Sequence, residues 1–136
     1  MLPMPDRPAK VFSFTEANEL VSKIADLTEE VIQELDGIRR RCSSDAEASG
    51  SAISDEILKE VAEALQNWSE RVLELGGHPK GYFTVDFQSM DPELLYCWNY
   101  GEDRICYTHK VWENFSHRRP LTRSIEQFGK HLKWLN

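Results

Sequence analysis

The chain has 136 residues, a net charge of −7, 40% hydrophobic and 29% charged residues, and four tryptophans. That composition excludes a disordered or low-complexity chain, and the length suffices to bury a core without metal or disulfide staples. No apolar run approaches the ~20 residues of a membrane-spanning helix, and the start Met1-Leu2-Pro3-Met4 lacks a basic region followed by an apolar stretch.

Neither a membrane nor an export route is therefore expected. Cys42, Cys97 and Cys106 are odd in number and have no CxxC spacing, which points to free thiols in a reducing cytoplasm. The charge is uneven: residues 1–103 hold 9 Lys and Arg against 21 Asp and Glu, whereas residues 104–136 hold 7 against 2. A surface so acidic repels polyanions, so no nucleic-acid partner is expected.

Pro3, Pro5 and Pro8 make residues 1–10 an extended, mobile arm ahead of one α+β domain over 11–121. Ser13-Phe14-Thr15-Glu16 is a capping box that opens a first helix over about 14–41. Ala17, Val21, Ile24, Thr28, Val31, Leu35 and Ile38 recur in steps of three and four along it, a heptad-like coiled-coil seam. Arg39, Arg40 and Arg41 fall in its last turn, where cations complement the helix dipole.

Residues 42–52 read as a flexible connection. Ser54 caps a second helix over about 54–75 whose seam is Leu58, Val61, Leu65, Trp68, Val72 and Leu75, stopped by Gly76-Gly77. Two seams of matching length across a short connection predict an antiparallel two-helix hairpin. Two helices cannot cover both seams, so a third layer or a second subunit is required.

That layer is predicted from Tyr82–Phe87 and from a β-hairpin whose strands, 94–100 and 105–112, flank Gly101-Glu102-Asp103-Arg104. With a loop of two or four residues, Leu94, Tyr96, Trp98, Tyr100, Ile105, Tyr107 and His109 share an aromatic face turned to the helices. Leu95, Cys97, Asn99, Cys106, Thr108 and Lys110 take the other face. Residues 122–136 are expected to form a short C-terminal helical tail with Ile125, Phe128, Leu132 and Leu135 on one side.

FTEANEL at 14–20, TVDF at 84–87, CWNYGE at 97–102 and YTHKVWENFSHRRPL at 107–121 occur in an order that resembles the bacterial family catalogued as domain of unknown function 2203. The family pattern has tryptophan where this chain has Thr108, and glycines where it has Asn114 and His117. The resemblance covers 11–121 and implies the fold and the compartment. It carries no activity.

Two constellations invite chemistry. Cys97, Cys106 and His109 offer zinc-type ligands, but the alternation sets His109 opposite both cysteines, so no metal and no cofactor is expected. Asp86, Glu102, His109, Arg118 and Arg119, with Trp98 beside them, fall at the matched motifs and could clamp an anionic ligand or perform acid–base work. No nucleophile motif, phosphate loop or dinucleotide fingerprint accompanies them. The favoured expectation is a non-enzymatic interaction module that forms a homodimer or meets a protein partner through the helical hairpin. The alternative is a small-molecule binding or hydrolytic domain using the His/Arg/acid set. His109 itself is expected to be buried on the aromatic face, with one ring nitrogen donating to a carbonyl or carboxylate.

Overall fold

A computed structural model describes residues 10–49 and 54–121. Two helices, Phe14–Ser49 (α1) and Asp55–Leu75 (α2), precede a five-stranded antiparallel sheet. Its strands are His78–Lys80 (β1), Thr84–Gln88 (β2), Leu94–Asn99 (β3), Tyr107–Lys110 (β4) and Arg119–Pro120 (β5), in sequential order across the sheet. The predicted arm, save Lys10, and the predicted tail helix over 122–136 lie outside the described residues. Among those residues, no helix is long and apolar enough to cross a membrane.

The helix starts follow from local chemistry. Ser13 Oγ accepts from the Glu16 N–H at 3.1 Å while the Glu16 carboxylate accepts from the Ser13 N–H at 2.9 Å. Both orphan donors are thereby satisfied. Ser54 Oγ accepts from the Ile57 N–H in the same way, and α2 ends where Gly76 turns left-handed at φ 101° and returns its N–H to Leu73.

The seam of α1 faces inward as its spacing requires: Ala17, Val21, Ile24, Thr28, Val31 and Ile38 are buried. Along α2 the inward stripe is narrower and rotated, through Ala64, Trp68 and Val72, leaving Leu58 and Leu65 exposed. The helices touch where Trp68 Nε1 donates to Thr28 Oγ1 at 2.8 Å, and Thr28 passes its own proton to the Ile24 carbonyl. Arg41 reaches Glu60 at 2.7 Å. Against this layer the sheet presents Val85 and Phe87 of β2, paired with Trp98 and Tyr96 of β3, and these four are completely buried in the core.

The hairpin register differs from expectation. Leu95 pairs with His109, Tyr96 with Thr108 and Cys97 with Tyr107, so seven residues, 100–106, separate the strands. An odd loop moves the whole of β4 to the other parity. Two features consume the extra residue. Asn99–Glu102 is a turn with Gly101 in its third position at φ 105°, closed by the Glu102 N–H to the Asn99 carbonyl. Next, the Ile105 N–H donates to Asn18 Oδ1 at 2.7 Å, which draws Ile105 into the core before pairing with β3 resumes. Thr108 therefore turns to the helices, whereas Tyr107 and His109 turn to the outer face.

Candidate functional site

On that outer face the register alone assembles the site. Asp86 of β2 is the direct cross-strand neighbour of Cys97 on β3, and His109 lies two residues along β4 from Tyr107, the partner of Cys97. Three side chains from three adjacent strands thus converge diagonally. The carboxylate, thiol and imidazole ligand atoms all lie within 4.8 Å of one another, and Asp86, Cys97 and His109 are 2%, 0% and 3% exposed.

Their hydrogen bonds are specific. His109 Nδ1 sits 2.8 Å from the Lys110 carbonyl oxygen, an acceptor, so Nδ1 carries a proton and donates it. Nε2 is thereby aimed at Asp86 Oδ1, 3.1 Å away, and the two groups share a proton. Burial, reinforced by the Asp86 carboxylate, pushes the Cys97 thiol well above its ordinary range, so on its own it is an inert thiol.

The cluster is the floor of a cavity of about 600 Å³. Leu95, Val111 and Phe115 supply apolar wall, Thr84 and Asn99 lie hydrogen-bonded to each other at 2.7 Å, and Lys80 stands at the exposed mouth. Glu113 also lines it, but this carboxylate is already held by both terminal guanidinium nitrogens of Arg119, at 2.7 and 2.6 Å, and by the Lys110 N–H. Those donors hold the Glu113 carboxyl down at about 2.

A second set of residues flanks the cavity without lining it. The Arg118 guanidinium lies over the Tyr107 ring at 3.9 Å and the Phe115 ring at 4.5 Å, and donates to Glu102 Oε2 at 2.6 Å. Its Nη2 also approaches the Cys97 carbonyl at 3.5 Å. Glu102 is fixed from three sides, since its other oxygen accepts from the Asn99 N–H and its carbonyl accepts from Trp98 Nε1. Arg118 Nε is buried and has no hydrogen-bond partner among the described residues.

Of the six residues singled out from the sequence, the structure therefore joins Asp86 with His109 and Glu102 with Arg118, the two couples meeting at Cys97. Trp98 belongs to the other face, where it is core, and Arg119 is an exposed partner of Glu113. His109 is buried and hydrogen-bonded as expected, but on the outer face rather than the aromatic one. Cys97 lies beside the imidazole, contrary to the alternation expected from the sequence, while Cys106 is not part of the cluster. The parity of the 100–106 loop decides which side chains meet; of the other lining residues, Thr84, Asn99, Val111 and Phe115 lie within the matched strings without standing out there, and Lys80 lies outside them.

No curated protein and no solved structure matches the chain. A family model does, from residue 10 to residue 121, across α1, α2 and all five strands. The chain therefore belongs to the family described as Uncharacterized conserved protein (DUF2203).

Proposed function

We propose that the domain binds a small molecule on the outer face of its sheet, one with an anionic head and a partly apolar body. The observation that carries this reading is the pairing of a buried polar floor, Asp86 and His109, with apolar walls in one cavity of about 600 Å³. Ligand sites combine mostly apolar lining with a few placed polar groups in this way. The head's sign follows from the charges: Glu113 is neutralised by Arg119 and Asp86 faces His109, whereas Lys80 at the mouth has no ion pair among the described residues. The three free thiols support a reducing, cytoplasmic setting.

The test is a panel of small carboxylates and phosphates titrated into the ¹⁵N-labelled full chain. Shifts should concentrate at Thr84, Asn99, His109 and Asn114, and Leu95→Trp, which fills the cavity, should abolish them while leaving the fold intact. Binding that survives Leu95→Trp, or shifts scattered over α1 and α2, would refute the reading.

A second reading has its own observation. Leu58, Leu65 and Leu73 of α2 are 54%, 39% and 45% exposed although the helix already buries Ala64, Trp68 and Val72, and this stripe supports dimerisation through the helical pair. Sedimentation equilibrium at high micromolar concentration tests it. A dimer dispersed by Leu58→Glu with Leu65→Glu is the expected result, and a monomer throughout sinks the idea.

A further inference from the structure

The donor set on the cavity floor has the composition of a metal centre. A thiolate, an imidazole and a carboxylate are the three ligand types of zinc, and a thiolate among them disfavours magnesium and calcium. In a tetrahedral zinc site, bonds of ~2.0–2.3 Å place ligand atoms ~3.3–3.8 Å apart. Asp86 Oδ1 and His109 Nε2 are already 3.1 Å apart, and all three ligand atoms fall within 4.8 Å, so side-chain torsions alone close the set.

We propose that Asp86, Cys97 and His109 bind one divalent transition ion of the zinc class. Three independent features support the assignment. The imidazole is already oriented as a ligand, because Nδ1–H is anchored on the Lys110 carbonyl and Nε2 is aimed into the cluster, where an ion would displace the proton it shares with Asp86. The charges balance, since one carboxylate and one thiolate match a divalent cation. All three side chains also line the cavity, so an ion held by them keeps its remaining coordination position toward that space. Three protein ligands with an open position are the pattern of sites that receive a substrate or ligand rather than purely structural ones.

The inference deepens the small-molecule reading: the anionic head would complete the coordination shell, with its apolar body against Leu95, Val111 and Phe115. It also explains why a carboxylate and an imidazole are kept so deeply buried on a face that a few more apolar residues could have sealed. Only the organic ligand rests on the earlier reading; the ion rests on the three side chains.

Cobalt(II) is the direct probe. Titrated into the chelator-treated full chain, it should raise a thiolate-to-cobalt charge-transfer band together with the visible bands of four-coordinate cobalt, saturating at one ion per chain and bleached by zinc. Cys97→Ser should remove the charge-transfer band, whereas Cys42→Ser and Cys106→Ser should leave it. Asp86→Asn and His109→Gln should each weaken cobalt affinity by roughly tenfold or more. Circular dichroism reports whether each variant is folded, and the isosteric Asp86→Asn decides the matter if Cys97→Ser does not fold. No band in the parent chain, a band that survives Cys97→Ser, or an affinity indifferent to both Asp86→Asn and His109→Gln overturns the site. Cobalt binding that no anion of the panel perturbs keeps the ion and removes the anion reading; anion binding without cobalt does the reverse.

Discussion

The two faces of the sheet are built from the same strands, one sealed throughout and the other sealed along β2 and β3 only at Thr84, Asp86 and Cys97 while Leu95 and Asn99 are half-buried, and their chemistry differs. Toward the helices β2 and β3 present Val85, Phe87, Tyr96 and Trp98; toward the cavity they present Thr84, Asp86, Leu95, Cys97 and Asn99. Burying the first set is driven by apolar transfer. Burying Asp86 at 2% exposure is unfavourable unless its carboxylate is partnered, and His109 supplies that partner. A buried polar face opposite a conventional core is thus where function is to be sought in this fold.

That contrast is open to breakage residue by residue. On the helix face, Trp98→Ala removes a completely buried ring and the indole donor to the Glu102 carbonyl. It should cost about 3–5 kcal/mol in denaturant-induced unfolding, the range for aromatic truncation in a core. On the cavity face, His109→Ala loses less packing but strands Asp86 without its partner, and about 1–3 kcal/mol is expected by the same measurement. Between the helices, Thr28→Val keeps shape and removes the acceptor of Trp68 Nε1–H; a loss of ~1–2 kcal/mol is expected.

The smallest effect is a pH dependence at the cavity rim. The folded Glu113 carboxyl is depressed from 4.5 to about 2 by Arg119 and the Lys110 N–H. A depressed carboxylate contributes stability that is present above its unfolded value and lost as pH falls through its folded one. The thermal midpoint of the parent chain should therefore drop between pH 5 and pH 2 more than that of Glu113→Gln. Parallel profiles for the two chains would show that the ion pair is too solvated to matter.

Much of the fold was legible in the sequence because its signals are local. Ser13 and Glu16 three residues apart, Ser54 ahead of an acidic first turn, and Gly76-Gly77 each act within one turn of chain, and the α1 seam needs only a period. The α2 seam was less legible: Leu58 and Leu65 fit the period as well as Ala64 does, and only the position of the sheet decides which stripe is covered. β1 and β5, three and two residues long, have no pattern of their own and exist because β2 and β4 offer them edges. The site was half legible. Asp86, Glu102, His109 and Arg118 stood out as polar residues in matched motifs, but which of them meet is fixed by the seven-residue loop, and that length depends on a hydrogen bond from Ile105 to Asn18, 87 positions away. No short-range rule contains that contact.

On the small-molecule reading proposed above, the polar character of the outer face serves binding rather than folding. The combined variant Asp86→Leu, Cys97→Val, His109→Leu tests it most directly, with denaturant unfolding and cobalt(II) titration on the same sample. Replacing a buried polar cluster entirely by apolar groups of similar volume, unlike removing one partner, is close to neutral or stabilising. The expected triple variant unfolds at the parental midpoint or above and develops no cobalt band. A triple variant destabilised beyond His109→Ala alone would contradict it and assign the cluster to folding.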